Sequence, residues 1–355
     1  MTHSSTPPAP GHVTVGAAPY DRRPAALFAM APEHLPSLFP PRLLNRLKDL
    51  LDIDETLVVR RFDQESLAPL LARTEVLITG WGAPLLDPAA LAAAPRLRAV
   101  LHAAGTVRGI VSDSCWDRGL LVSTAAQANA LPVAEFTLAA ILLAGKDAFG
   151  SRDRLRAARR PAPGARGGPA VGNFGRSVGI IGASRVGRHV MELLRPFDLA
   201  VRLADPYVDA AEAARLGAAL VSLDELLASS DIVSVHAPDT AQTFRMLDRR
   251  RLAVMPDGAT LINTARGALI DPTALTDELV SGRINAVLDV TEPEPLPRDS
   301  PLYGLPNVFV TPHIAGSLGN ELERLGRSVV EEADRLVAGL PLRHQVLRTD
   351  LERVA

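Results

Sequence analysis

The feature that most constrains the fold of this chain is an alternation. Short runs made almost wholly of apolar residues take turns with helix-period segments along most of its length. A first series reads "AALFAM", "TLVVRR", "EVLITGW", "RAVLHAAG" and "LLVSTA". A second reads "SVGIIGA", "LAVRLAD", "DIVSVHAP", "ATLINTA", "NAVLDV" and "NVFVTPHIA". Runs without a polar beat suit parallel strands covered on both faces. Helical stretches such as "PPRLLNRLKDLL" and "DPAALAAA" lie between them. The pattern predicts two α/β units, each with a parallel sheet. The length of 355 residues agrees, since domains run to about 100–200 residues each.

Between the two series, "PVAEFTLAAILLAGKDAF" predicts a largely buried helix. Its apolar part, Val133 to Gly145, contains Glu135 and falls short of the roughly 20 residues a bilayer span needs. No membrane association is expected. The next stretch, "SRDRLRAARRPAPGARGGPAVGNFGR", carries seven arginines and is expected to be a solvated surface loop, with phosphate binding as the alternative. Near the C-terminus, Leu322, Leu325, Val329, Ala333 and Leu336 stand at helical spacing and predict an amphipathic helix packed on a core. Residues 1–23 are rich in Pro, Gly and small polar side chains. They are expected to form a disordered tail and lack the pattern of a signal peptide.

The formal net charge of −2 argues against a general nucleic-acid binder. Cys115 is the only cysteine, so no disulfide forms within the chain and no Cys-rich metal site exists. Cytoplasmic localisation fits this usage. An inert buried thiol is the expected state of Cys115, with a nucleophile as the alternative.

The strand-like "VGII" runs into Gly182, Ala183, Ser184, Arg185, Val186 and Gly187. A dinucleotide turn reads G-x-G-x-x-G; here Ser184 holds the middle place. Such a turn aims unpaired N–H groups and the helix dipole at an anion. The first glycine allows the tight bend, the middle position lets the backbone approach a pyrophosphate, and the last lets the helix pack on the strand. Taken alone, the turn is also compatible with plain packing. The next run, "LAVRLAD", ends at Asp205, 18 residues past Gly187. An acid there binds ribose hydroxyls and repels a 2′-phosphate, so NAD is expected rather than NADP. Asp205 as a turn cap before Pro206 is the other reading.

Three later motifs follow strand-like runs: "INTARGALID", "LDVTEPEP" and "TPHIAGS". Ligands of open parallel sheets sit at the carboxyl ends of the strands, so Arg266, Glu294 and His313 are expected to converge there. A guanidinium fork grips a carboxylate and polarises an adjacent carbonyl. An imidazolium donates a proton, and a carboxylate against it orients the ring and favours its charged form. This set suffices to reduce a 2-oxo acid. Each residue also has a structural role open to it: Arg266 in a surface ion pair, Glu294 as a loop charge, His313 as a cap or core histidine.

With these motifs the sequence resembles the D-isomer-specific 2-hydroxyacid dehydrogenase family, from about "LITGW" to "VAGLP". "VGIIGASRVGR", "DIVSVHAPDT", "LINTARGALID", "AVLDVTEPEPLP" and "VTPHIAGS" carry the likeness. The resemblance implies an NAD-dependent oxidoreductase acting on a small 2-oxo or D-2-hydroxy acid. It implies two Rossmann-like domains with parallel sheets, a cleft between them that closes on substrate, and a cofactor domain (130–317) inserted into a flavodoxin-like substrate domain (24–129 and 318–355). In that family Arg266 would bind substrate, His313 would be the acid/base and Glu294 its orienting partner, with Glu292 as a stand-in. Thr264, Ala265, Arg266 and Asp289 would contact nicotinamide and ribose. His236 and Pro238 would line the adenosine side, and Gly316 would lie near the nicotinamide, beside His313. A homodimer through the cofactor domain is implied too. The Glu argues against formate dehydrogenase, a relative that pairs its His with Gln. Phosphite-type oxidation on the same scaffold stays open, as does an NAD(H)-sensing regulator without activity.

One stretch departs from the family. The loop that offers N–H groups to the substrate carboxylate often reads R-x-G-x-G-x-D-N, whereas this chain has "HAAGTVRG". Ala104, Gly105 and Thr106 would be its substrate contacts. His102 or Arg108 is expected to meet a second polar or anionic group of the substrate, with a structural role for Arg108 as the alternative.

Overall fold

The structure is a computed structural model that describes residues 19–159 and 171–352. Residues 1–18 of the expected tail and 160–170 of the Arg-rich stretch lie outside the described residues. The chain divides into two compact units, Met1–Ala126 with Leu322–Arg348, and Gln127–Glu321 with Thr349–Ala355. The boundaries fall after Ala126 and Glu321, where the sequence reading put them after Asn129 and Ser317, and residues 349–352 group with the second unit.

The first unit holds β1 (Ala26–Ala29), β2 (Val58–Val59), β3 (Val76–Thr79), β4 (Ala99–His102) and β5 (Leu121–Thr124). All pair in parallel, in the order β2-β1-β3-β4-β5. This is the flavodoxin-like order. Every residue of β1, β3 and β4 is buried, which is why these strands read as apolar runs, polar only at Thr79 and His102 where β3 and β4 end. Helix Leu322–Val337 buries Leu325, Val329, Ala333 and Leu336, the face that the spacing predicted, and packs in this unit against helix Pro41–Leu50. Cys115 is fully buried, and burial pushes its thiol pKa up. It is an inert thiol.

The second unit holds β6 (Ser177–Ile181), β7 (Ala200–Ala204), β8 (Ala219–Leu220), β9 (Ile232–Val235), β10 (Thr260–Asn263), β11 (Asn285–Leu288) and β12 (Val308–Val310). Their order is β12-β11-β10-β9-β6-β7-β8, all parallel. The sheet reverses direction of growth between β6 and β9, the switch point where such sheets take ligands. Register levels the strand ends. Ile181 pairs with Ala204 and Val235, Val235 with Asn263, Asn263 with Leu288, and Leu288 with Val310. The loops that begin at Gly182, Asp205, His236, Thr264, Asp289 and Thr311 therefore leave one edge side by side. Strand β8 has two residues, too few for a sequence pattern.

Two expectations need correction. The buried helix runs from Ala126 to Gly145, 20 residues, because Pro132 sits inside it rather than starting it. It is therefore long and apolar enough, by length and composition, to cross a bilayer. Ala134, Ala140 and Ile141 instead pack in the core of the second unit with Val178, Ile180 and Val190. Ala148–Ala158 forms a further helix where the Arg-rich stretch was expected to be a loop throughout. Its Arg, Leu and Ala residues are good helix formers.

Candidate active site

The nucleotide turn is built from steric necessity. Gly182 has φ +95, and a Cβ there would lie 2.8 Å from the Ala237 nitrogen. A Cβ on Gly187 would lie 2.1 Å from the Gly182 carbonyl oxygen. Neither position admits a side chain. Ser184 differs: with φ −64 and ψ 178 it sits in extended backbone open to any residue. It caps helix Arg185–Leu194, its Oγ accepting from the Gly187 N–H at 3.3 Å. Serine is among the preferred residues at that place. Arg185 is exposed and Val186 half-buried on the first turn.

Asp205 follows β7 and reaches back to the turn. Its Oδ2 accepts from the Ala183 N–H at 2.7 Å, and its Oδ1 from the Tyr207 N–H at 2.7 Å. A cavity of about 670 Å³ opens here, lined by Gly182, Ser184, Asp205, Ala237 and Pro238 among others. Its size suits a nucleoside, as ligand cavities run to roughly 300–1,000 Å³. The two glycines, the helix N-terminus and the acid together fit a dinucleotide, with Asp205 set against a 2′-phosphate. His236 is not in the lining. It is 3% exposed, shares a hydrogen bond with Ser234 Oγ at 2.8 Å, and burial pushes its pKa down to about 3. It stays neutral beneath the turn.

The loop after β10 carries Thr264, Ala265 and Arg266. Asn263 braces it from below, donating to the Arg266 carbonyl at 2.8 Å and accepting from the Ala265 N–H at 3.0 Å. Thr264 is buried, its hydroxyl 2.9 Å from that of Thr137 on the long helix. The Arg266 guanidinium donates to the Ala265 carbonyl at 2.7 Å. No described carboxylate lies within ion-pair distance of it. Gly267 explains how this loop meets the next: a Cβ there would lie 2.1 Å from the Thr291 carbonyl oxygen and 2.7 Å from the Glu292 nitrogen.

Asp289, at the end of β11, is 2% exposed and fully engaged. Its Oδ1 accepts from Thr311 Oγ1 at 2.6 Å and the Ile314 N–H at 2.8 Å, and its Oδ2 from the Ala315 N–H at 2.9 Å. Its carbonyl accepts from the His313 N–H at 3.0 Å. These bonds fold the segment after β12 around one carboxylate and hold His313 at φ +55, in the left-handed region. Beyond it, Gly316 lies against the Asn129 amide, which accepts from the Ser317 N–H at 2.9 Å.

His313 Nδ1 stands 2.6 Å from Glu294 Oε1. Glu294, not Glu292, is the acid on the ring. Solvent reaches both side chains, at 50% and 41% exposure. A bond from Nδ1–H to the carboxylate leaves Nε2 for proton exchange. The residues that the sequence reading missed are Asn263, Gly267, Asn129 and Thr137. Asn263 and Gly267 flank the Arg266 motif in the sequence, whereas Asn129 and Thr137 lie on the long helix, far along the chain from the residues they meet.

In the first unit, Ala104 is buried while Gly105 and Thr106 are half-buried. Thr106 Oγ1 accepts from the Arg108 N–H at 3.2 Å, and the Arg108 side chain is exposed. His102 is not available to substrate. It is 2% exposed, its Nδ1 is 2.9 Å from Thr79 Oγ1, its ring bonds to the Thr106 backbone, and burial lowers its pKa to about 4. It is the last residue of a fully buried strand and anchors the loop from within. Among the described residues no cluster of His, Cys, Asp and Glu is arranged to hold a metal ion.

A parallel sheet with this turn, and an acid at the end of its second strand, is a dinucleotide-binding domain. The sequence profile of the D-isomer specific 2-hydroxyacid dehydrogenase NAD binding domain matches residues 138–315. The chain belongs to this family, and its cofactor is NAD. It is similar to D-3-phosphoglycerate dehydrogenase of Mycobacterium bovis, 36% identical over 278 residues, covering 78% of this chain and 52% of that protein. The chain thus spans about half the length of that relative. It is also similar to (S)-sulfolactate dehydrogenase of Chromohalobacter salexigens, 33% identical over 252 residues, covering 70% of this chain and 81% of that one. Among solved structures, D-lactate dehydrogenase from Aquifex aeolicus, complexed with NAD and lactic acid, aligns with a TM-score of 0.68 and 28% identity, covering 88% of this chain and 96% of that chain.

Proposed function

We propose that the protein is an NAD-dependent 2-hydroxyacid dehydrogenase that interconverts a 2-oxo acid and a D-2-hydroxy acid. The observation that carries this reading is the His313–Glu294 pair at 2.6 Å, on the sheet edge that bears the nucleotide turn. NADH, when bound, supplies the hydride for the C2 carbon. Arg266 grips the substrate carboxylate and polarises the C2 carbonyl through its fork of N–H donors. His313 gives the Nε2 proton to the carbonyl oxygen and recovers it in the reverse direction. Glu294 holds the Nδ1–H and steadies the charged ring. Thr264, Ala265, Asp289 and Gly316 shape the nicotinamide side, Pro238 the adenosine side. Ala104, Gly105 and Thr106 offer backbone groups to the substrate.

The reading extends to a cytoplasmic homodimer. Leu143 and Leu155, on the two helices before β6, are 45% and 50% exposed, apolar surface that a second copy could cover; size-exclusion chromatography with light scattering checks the dimer. For the activity, a panel of 2-oxo acids is followed by NADH absorbance, with phosphite and formate as oxidation controls. The expected result is turnover of at least one 2-oxo acid, lost in His313→Ala while NADH still binds. Tight NADH binding with no turnover of any compound goes against the reading and favours a sensor.

A further inference from the structure

The adenosine cavity holds more than one charge. Beside Asp205 its lining includes Arg188 and Arg251. A guanidinium beside the ribose is what accommodates a 2′-phosphate in NADP-binding relatives of this fold, yet both of these are engaged. Arg251 Nε lies 3.0 Å from Asp224 Oδ1, and its Nη1 donates to the Met246 carbonyl at 2.8 Å. Arg188 Nη1 lies 2.7 Å from Glu212 Oε1, and its Nε donates to the Ala183 carbonyl at 2.8 Å. The Ala183 N–H is the group that Asp205 holds. One residue of the turn, Ala183, is therefore held through both its N–H and its C=O, by the acid that rejects a 2′-phosphate and by the arginine suited to bind one.

We propose that Glu212 is a second determinant of NAD over NADP, acting by keeping Arg188 neutralised and turned onto the Ala183 carbonyl. Asp205, Arg188 and Glu212 sum to one negative charge at the ribose edge. Without Glu212 the sum is zero, and the Nη1 N–H donors of Arg188 are released to meet a phosphate. The Arg188–Glu212 pair is partly exposed, at 42% and 30%. Exposed pairs are worth at most about 1 kcal/mol, so the effect is a factor of about three to five in affinity. The inference rests on the cofactor and not on the proposed reaction.

The test is a double-mutant cycle read by binding alone. Dissociation constants of NADH and NADPH are measured by nicotinamide fluorescence or calorimetry for the intact protein, Glu212→Gln, Arg188→Met and the double variant. The expected result is that the NADPH/NADH ratio of dissociation constants falls about three- to fivefold on Glu212→Gln and does not change on the same substitution in the Arg188→Met background. The gain should shrink as salt rises. An unchanged ratio in Glu212→Gln overturns the proposal. So does an equal gain without Arg188, which assigns the effect to the field of one lost carboxylate. Glu212→Ala serves as a second variant: if both Glu212 variants lose NADH binding as well, the pair holds the turn for any dinucleotide and does not select between them.

Discussion

Asp289→Asn separates two roles for one buried acid. The family resemblance makes Asp289 a cofactor contact, whereas the structure commits its oxygens to Thr311, Ile314 and Ala315 at 2.6, 2.8 and 2.9 Å. Asparagine can keep the Oδ1 bonds, but it turns an NH2 group toward the Ala315 N–H. One charge-assisted bond is lost, worth about 1.5–3 kcal/mol, and a buried donor is left facing another, for a total of about 2–4 kcal/mol. In a domain of this size that lowers the unfolding midpoint by about 5–10 °C. The consequence for activity follows from His313, whose left-handed backbone is held by this acid. A displacement near 1 Å at a reacting group costs about 100-fold, so kcat should fall about 10- to 100-fold while the NADH dissociation constant stays within about threefold. Steady-state kinetics, NADH fluorescence titration and a thermal melt on the same preparation decide it. If NADH affinity drops tenfold or more while kcat and the melt are preserved, Asp289 is a cofactor ligand and the bracing argument is wrong.

Other expectations follow from the same geometry. Gly187→Ala sets a methyl 2.1 Å from the Gly182 carbonyl oxygen and should weaken NADH binding at least about tenfold, as overpacking against backbone shifts the turn; Ser184→Gly, at a position with ordinary backbone angles, should keep binding within about threefold. Calorimetry with NADH tests both, and equal losses in the two variants would contradict the assignment of the turn. Gly267→Ala drives a methyl into the Thr291–Glu292 peptide and should reduce kcat/KM with little change in NADH affinity, since it parts the Arg266 loop from the Glu294 loop; unaltered kinetics would mean that the loops move independently. Burial lowers His102 to about 4 and His236 to about 3 from an ordinary 6.5. The folded chain keeps both neutral, so their stability contribution is complete above about 6.5 and is lost as pH falls toward 4, by about 2 kcal/mol each at pH 5. Melts between pH 8 and pH 5 should steepen accordingly, and His102→Asn or His236→Gln should each remove about half of the slope; an undiminished slope in both variants refutes the assignment.

The parallel sheets were legible because both faces of each central strand are covered, which leaves the runs of β3, β4, β9 and β10 mostly apolar, with Ser234 the one polar residue inside a strand and the others at strand ends. The pairing of His313 with Glu294 was legible because each stands a fixed step past a strand end, and the register levels those ends. What depends on contacts from elsewhere in the chain was not. Thr137 meets Thr264 across 127 residues, and Asn129 meets Ser317 across 188. His102 carried a false signal: beside a substrate loop a histidine reads as a ligand, but it ends a strand buried on both faces, and the β3–β4 register sets its ring against Thr79. The long helix was misjudged because Pro132 looks like a start, although Ala126–Leu131 already continues the helix on its N-terminal side.

The irregular turn shows why a motif can lose a member and keep its meaning. Gly182 and Gly187 answer to the protein: one is pressed against Ala237 and the other against the Gly182 carbonyl, and both are required whether or not a ligand is present. The middle position answers only to the ligand, since its backbone angles suit any residue and glycine there serves close approach to a pyrophosphate. Substitution at that place is therefore the one change that folding permits, and it is the change this chain has made. Ser184 adds a cap to the helix that faces the phosphates, its hydroxyl satisfying the Gly187 N–H. That N–H is among the donors a helix N-terminus offers to an anion. Bound pyrophosphate must then accept from the remaining N–H groups or from the serine hydroxyl itself, so the serine shifts which donors meet the anion without removing the site.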